Sequence, residues 1–316
     1  MARIAVLIIT YNSEDEIGSC LEAVRHYVPE AEVLVIDNHS SDQTLEIAAR
    51  FPVQIIANDQ NLGFAGAVNQ GVRATSADLL LLLNPDACLE TGIGALIQCF
   101  DDPKTGAAAG LLRNGDGSPQ SGFSVRRLPT PTALILEVLG VNRLFPTNPV
   151  NRHYRCLDLD LTQPCVVEQP AGAFLLFSRT AWTAAGGFDE CFWPVWFEDV
   201  DFCAALICND FQICFVPECT ANHKGGHSVA ALPMKSRQKY WYVSLLKYGA
   251  KHYRTLAFRL LCSSVAVGSV LRFLLTVGQN QKGFEVQYAV FLHAVGCLFR
   301  PVKGSVPVLD GCGTRK

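Results

Sequence analysis

Glu198, Asp199 and Asp201 put three carboxylates into four consecutive positions. Crowded carboxylates repel one another, and repulsion raises the pKa of at least one of them. A carboxylate raised in this way is a usable general base near neutral pH. Acidic residues also suit the first turn of a helix, where the helix dipole favours negative charge. The flanks speak for more than a solvated turn. Phe192-Trp193-Pro194-Val195-Trp196-Phe197 precedes the cluster and Phe202-Cys203-Ala204-Ala205-Leu206 follows it. Carboxylates between apolar walls need a partner or a task. In a helix, Glu198 and Asp201 share a face at i,i+3 spacing, and Asp199 points elsewhere.

Two further places carry metal or phosphate chemistry. Asp86 closes Asn84-Pro85-Asp86, directly after the five leucines Leu79–Leu83. A carboxylate at a strand end can ligate Mg2+ or Mn2+, ions that take one or two carboxylates and then phosphate oxygens. Taken alone, Asn-Pro-Asp also has the composition of a simple turn. The stretch from Ala221 to Ser228 holds His223, Lys224, Gly225, Gly226 and His227. Imidazole ligates metals, and a glycine-rich turn lets backbone N–H groups approach an anion. The segment Asn61-Leu62-Gly63-Phe64-Ala65-Gly66 lacks dinucleotide-binding spacing, and no P-loop motif occurs.

These residues need elements to hold them. Ile4–Thr10, Val33–Asp37, Val53–Ala57 and Leu79–Leu83 read as short buried strands. Helices are expected between them: one capped by Ser13 with Glu16 and reaching about His26, one from Ser41 or Asp42 to about Phe51, and one over Phe64–Ala74. Strands alternating with helices at this spacing imply parallel βαβ units in a doubly wound α/β sheet. Ligands of such sheets bind outside the carboxyl ends of the strands. Those ends are polar here: Thr10-Tyr11-Asn12, Asp37-Asn38, Asn58-Asp59 and Asn84-Pro85-Asp86. From about Gly115 to Cys165 no regular pattern is visible, and such a segment is often a lid or an acceptor loop. A strand over Gly172–Phe177, a helix over Phe197–Cys208 and a short strand over Gln212–Val216 follow.

Half of the 316 residues are apolar and 17% are charged, which fits a well-filled core. A net charge of −3, with no dense Lys/Arg block in the first 230 residues, argues against nucleic acid as a partner. The 13 cysteines are scattered and form no CxxC pair, the pattern of reduced, buried thiols in a cytosolic protein. The apolar N-terminal run is too short for a signal peptide. No run of 18 uncharged apolar residues is present, so no membrane-spanning helix is expected. After Lys235 the chain mixes apolar stretches with Lys247, Lys251, Arg254, Arg259 and Arg272. That tail suits either helices packed on the catalytic domain or an amphipathic surface lying on an anionic membrane.

As a set, the motifs resemble glycosyltransferase family 2, which has the GT-A fold, and most of all its bacterial rhamnosyltransferase-like branch. They are Val6–Asn12, Val35–Asp42, Asn61–Ala65, Asn84–Ala87, Gly186–Glu190, Glu198–Asp201 and His223. The resemblance spans roughly residues 3–230. It implies a catalytic domain over 1–230, with a mostly parallel central sheet flanked by helices, and a helical C-terminal region over 231–316. It also implies an inverting transferase moving a sugar from a nucleotide-diphosphate donor, with dTDP-rhamnose as the first candidate; the alternatives are a UDP- or GDP-hexose donor, or a catalytically idle glycan- or membrane-binding relative. The acceptor that the resemblance implies is a hydroxyl of a cell-surface glycan or lipid-linked saccharide, and the setting it implies is the cytoplasm, either free or peripheral at the inner membrane.

Roles carry over position by position. Thr10, Tyr11 and Asn12 line the nucleotide pocket, and Asp37 with Asn38 meets the base or ribose. Asn61, Gly63, Phe64, Asn69 and Asn84 lie around the ribose and diphosphate. Asp86 and His223 hold the Mg2+ or Mn2+. Asp199 is the base, with Glu198 and Asp201 supporting it and binding acceptor or sugar. Two departures stand out. Asn84 replaces the first carboxylate of the family's DxD motif, and Ala205 and Asp210 stand where an Arg and a Gly are frequent.

Overall fold

The computed structural model describes residues 2–225, 234–276 and 281–299. Strand β1 (Ile4–Thr10) is almost wholly apolar because parallel neighbours flank it on both sides. Those neighbours are β2 (Glu32–Asp37) and β4 (Leu79–Leu83), and β3 (Gln54–Ala57) extends the parallel sheet beyond β2. Crossovers run through α1 (Ile17–Tyr27), α2 (Thr44–Ala48) and α3 (Gly63–Ala74). The expected strands lie within one residue of those observed. The Ser13–Glu16 capping box does not form. Helix α1 begins at Ile17 with no side-chain cap, and the Ser13 N–H donates to Thr44 Oγ1 at 2.7 Å. The loop is tied to its neighbouring crossover instead of folding back on its own helix.

The second half completes a mixed sheet in the order β3-β2-β1-β4-β10-β6-β11-β5. Its strands are β5 (Ala87–Leu89), β6 (Thr105–Arg113), β10 (Phe174–Ser178) and β11 (Gln212–His223). Strands β10 and β5, and β8 (Cys165–Val167), which pairs with β11 off this path, run against the rest, so the sheet is mostly parallel. Strand β11 was expected to stop at Val216. It passes an irregularity between Val216 and Thr220 and continues to His223, pairing with β5. Short elements fill the 115–170 region: β7 (Val125–Arg126), helices α5 (Pro131–Val138), α6 (Val141–Leu144) and α7 (Pro149–Tyr154), β8 (Cys165–Val167) and β9 (Gln169–Pro170). Helix α4 (Gly94–Gln98) links β5 to β6, α8 (Arg179–Ala185) follows β10, and α9 (Glu198–Cys208) carries the acidic cluster.

Alternation along β1 divides the core. Leu7 joins one cluster with Leu34, Phe177 and Phe202, while Val6 and Ile8 join the other with Ile17 and Leu21. Three C-terminal helices, α10 (Met234–His252), α11 (Thr255–Thr276) and α12 (Gln281–Leu298), pack into the first cluster. Tyr248 is fully buried there, and its ring lies 5.4 Å from that of Phe197. Helix α11 packs on α5 and α12, and Arg272 donates to the Val138 carbonyl at 2.7 Å. By length and composition alone, Thr255–Leu274 could cross a membrane. The sequence criterion of an uncharged run passed over it because of Arg259 and Arg272. No disulfide joins any two of the twelve described cysteines.

Candidate active site

The β5–β11 ladder sets His223 beside Ala87, and this brings its imidazole to Asp86. His223 Nε2 lies 3.4 Å from Asp86 Oδ1, and the two side chains are only 2% and 3% exposed. On the other side of the ring, His223 Nδ1 faces Gln120 Oε1 at 3.0 Å, while Gln120 Nε2 donates to the His223 carbonyl at 2.6 Å. An acceptor at Nδ1 places the proton there and leaves the Nε2 lone pair directed at Asp86. Phe123 stacks on the imidazole at 5.4 Å. Adjacent ligands of an octahedral ion at about 2.1 Å lie roughly 3.0 Å apart. A movement of a few tenths of an ångström would therefore fit the pair to a divalent ion. Among the described residues no group of three or more His, Cys, Asp or Glu could hold a metal. Gly226, His227 and Ser228 of the predicted cluster lie outside the described residues.

Helix α9 begins at a strained turn. Trp196 and Phe197 both adopt left-handed backbone, with φ of 80° and 71°. Such a conformation costs of order 1–3 kcal/mol per bulky residue, so neighbours must hold it. The Phe64 N–H donates to the Pro194 carbonyl at 2.8 Å, and Ser244 Oγ of α10 donates to the Val195 carbonyl at 3.2 Å. The turn presents the carboxylates in different directions. Asp199 is half-buried, with Oδ2 accepting from the Gly172 N–H at 3.1 Å and Oδ1 from the Val200 N–H at 2.8 Å. Burial raises its pKa, and the two N–H groups and the Arg126 charge oppose that rise. A Cβ on Gly172 would lie 3.1 Å from Asp199 Cβ, so glycine makes room for this side chain. Glu198 is 5% exposed, and its Oε2 has no hydrogen-bond partner among the described residues. Burial first, and then the Asp199 charge, pushes its carboxyl well above the usual range.

Asp201 departs from the expectation. It accepts from His252 Nε2 at 2.7 Å and Lys251 Nζ at 2.9 Å, both on α10. The cavity is not lined by it. Its surroundings assign it to docking the C-terminal helix, not to acceptor or sugar.

The strand-end residues divide in the same way. Thr10, Tyr11, Asn38, Asn61, Phe64 and Asn84 line one cavity of about 490 Å³ together with Glu198, Asp199 and His223. Asp37 does not line it. It is buried, and its carboxylate accepts from Thr10 Oγ1 at 2.7 Å, the Ser40 N–H at 2.8 Å and Ser40 Oγ at 2.5 Å. Asn12 bridges the same loops, taking the Ser41 N–H on Oδ1 at 2.8 Å. Asn69 is saturated: Nδ2 donates to the Phe188 carbonyl and Glu190 Oε1, and Oδ1 accepts from the Phe188 N–H and Trp182 Nε1. None of these three lines the cavity. Gly63, at φ 79°, lies so close to Trp193 that a Cβ would come within 2.7 Å of the indole. Sequence reasoning missed Phe123, Arg126, Glu137, Tyr154, Arg155, Gln169, Trp196 and Trp241, all of which line the cavity. The clustering of Arg126, Arg127, Arg152 and Arg155 in the 115–165 segment was the available signal.

A family model for glycosyl transferase family 2 matches residues 5–155. The N-acetylglucosaminyl-diphospho-decaprenol L-rhamnosyltransferase of Mycobacterium tuberculosis is 32% identical over 219 residues, 64% of this chain and 69% of that protein. The chain belongs to glycosyltransferase family 2. A low-salt glycan biosynthesis hexosyltransferase of Haloferax volcanii is 24% identical over 63% of this chain and 60% of its own length. Among solved structures, a mannosyltransferase from Pyrobaculum calidifontis, in complex with GDP-Man and Mn2+, aligns at a TM-score of 0.53 and 14% identity, covering 94% of this chain and 87% of that one. GalNAc-T7 with UDP, GalNAc and Mn2+ gives 0.53 at 15% identity, over 79% and 50%. The fold is GT-A. Asp199, raised in pKa, and His223 both line the cavity, and Asp86 stands behind His223 without lining it.

Proposed function

We propose that this glycosyltransferase inverts configuration, moving rhamnose from dTDP-rhamnose to a hydroxyl of a cell-surface glycan or lipid-linked saccharide. One observation carries the reading of inversion: Asp199, half-buried and raised in pKa, shares a cavity with His223, itself 3.4 Å from Asp86. Asp199 takes the proton of the acceptor hydroxyl as that oxygen attacks the anomeric carbon. The bond to the diphosphate breaks on the opposite face. Asp86 and His223 would hold Mg2+ or Mn2+, which offsets the charge on a departing diphosphate. Identity to a rhamnosyltransferase supports rhamnose as donor sugar; a UDP- or GDP-hexose is the alternative. Asp199→Asn should leave nucleotide-sugar binding intact and lower transfer by about 100- to 10,000-fold. Transfer within tenfold of wild type would remove Asp199 from the role. Thermal shift with a panel of nucleotide-sugars, with and without Mn2+, tests donor and metal together.

We further propose that the tail rests on the cytoplasmic face of a membrane. Leu256, Leu260, Val267, Leu271 and Leu274 form an exposed stripe along α11, and Tyr288 and Leu292 are exposed on α12. Exposed Arg254 and Arg259 border the stripe. An apolar stripe edged by cations suits an anionic bilayer. Leu260→Glu with Leu271→Glu should abolish flotation with anionic liposomes; unchanged flotation would refute the contact.

A further inference from the structure

The segment between β6 and β10 brings two guanidinium groups to the cavity that the transfer chemistry does not use, Arg126 and Arg155. Both are organised around Gly122. Arg126 Nε donates to the Gly122 carbonyl at 2.8 Å, and its guanidinium carbon lies 5.6 Å from the Phe123 ring centroid and 5.9 Å from that of Tyr154. The terminal nitrogens of Arg126 make no hydrogen bond to a described residue. Arg155 runs over the bare α-carbon of Gly122, where a Cβ would meet its stem at 3.0–3.4 Å; φ there is +71°. Arg155 Nε is fixed by Asn151 Oδ1 at 3.0 Å, and Nη2 stands 3.6 Å from Glu137 Oε1. Two oriented cations thus line the cavity, one with an open hydrogen-bonding fork.

The charge of Arg126 acts on Asp199, so this cradle lies within electrostatic reach of the proposed base. On the transferase reading, a cation held by Asp86 and His223 would meet the donor's diphosphate. An anion beside the base therefore belongs to the molecule that brings the hydroxyl. The same cavity continues into apolar and aromatic wall at Leu134, Trp196, Phe197 and Trp241. Guanidinium forks match phosphate oxygens in geometry and charge. We propose that Arg126 and Arg155 form an anion subsite for a phosphate of the acceptor, whose apolar chain follows the aromatic wall. The acceptor class is then a lipid phosphate or diphosphate carrying the sugar. This rests on the transferase reading of the cavity.

Farnesyl diphosphate and farnesol serve as probes, titrated into the full chain with EDTA present and followed by tryptophan fluorescence. EDTA removes the metal that would draw a diphosphate to Asp86. The diphosphate should bind about 10- to 100-fold more tightly than the alcohol, the range expected of charge-assisted hydrogen bonds. Arg126→Gln should erase most of that preference, and Arg155→Gln part of it. Asp86→Asn should leave it unchanged. A preference that survives in both arginine variants, or that disappears only in Asp86→Asn, overturns the proposal. So does farnesoic acid binding as tightly as the diphosphate, which would make the subsite one for carboxylates. No nucleotide-sugar enters this experiment, so its failure leaves the transferase reading standing. Absence of transfer with every donor would leave the binding result intact.

Discussion

Asp201→Asn separates the structural carboxylate of the acidic cluster from the chemical one. In the native protein Asp201 is 3% exposed and is compensated by His252 at 2.7 Å and Lys251 at 2.9 Å. Removing one member of a buried pair typically costs about 3–5 kcal/mol, because the other member is left uncompensated. That range is an upper bound here. Lys251 is 44% exposed and keeps Asp189 at 2.6 Å, so it loses little, and the amide can still accept a hydrogen bond from His252. The expected loss is about 2–3 kcal/mol. For a chain of this size, at about 1.5 °C per kcal/mol, that lowers Tm by roughly 3–5 °C. Calorimetry or dye-based melting measures the shift, and kcat is then taken well below the melting range. Folded protein should keep kcat within about threefold, since Asp201 does not line the cavity. Combining the change with Lys251→Met should give a non-additive loss, because the two share a contact. The reasoning fails if Asp201→Asn melts like wild type while kcat falls tenfold or more.

Glu198→Gln should stabilise the protein as pH rises. A carboxyl whose folded pKa is raised contributes stability below its unfolded value and loses it as pH climbs through the folded one. Glu198 is such a group, so the variant's Tm advantage should grow from pH 4 to pH 8 and reach a gain of order 1 kcal/mol. Gln120→Leu removes the partner that orients His223, and Mn2+ affinity by calorimetry should drop about 10- to 100-fold. The rising limb of log(kcat/KM) against pH should lie above the usual aspartate value, since Asp199 must be ionised and its pKa is raised. Arg126→Gln should move that limb to still higher pH, because the Arg126 charge lowers the Asp199 pKa.

Strands β1, β2 and β4 were legible because strands buried on both faces are written as continuous apolar runs; β3, at the sheet edge, is only half-buried. Strand β6 was not. Its sequence, Thr-Gly-Ala-Ala-Ala-Gly-Leu-Leu-Arg, has weak strand character. The small residues are demanded by what lies across them: a Cβ on Gly110 would fall 2.1 Å from the Phe174 ring and 2.4 Å from the Cys219 carbonyl. The candidate site was visible in residue type and less so in direction. Asp199, His223 and Thr10 came to the cavity as expected, but Asp37, Asn69 and Asp201 have the chemistry of ligands and spend it on the protein. For Asn69 and Asp201 the partners, such as Trp182 and His252, are tens of residues away or more, where no local pattern points to them, whereas Asp37 turns to Ser40, only three residues on. Arg126 and Arg155 sit on elements too short to show a period.

The sheet order also governs synthesis. Strand β4, five leucines with β1 on one flank, has β10 on the other. Phe174 is made roughly 90 residues after Leu83, which at about 5–20 residues per second takes roughly 5–20 s. Through that interval the emerging chain carries an apolar strand edge with its final neighbour still untranslated. Unpaired apolar edges invite pairing with other chains. Yield in a heterologous host should therefore depend on chaperone supply and on translation speed between residues 84 and 174, even for variants whose finished fold is as stable as the parent's.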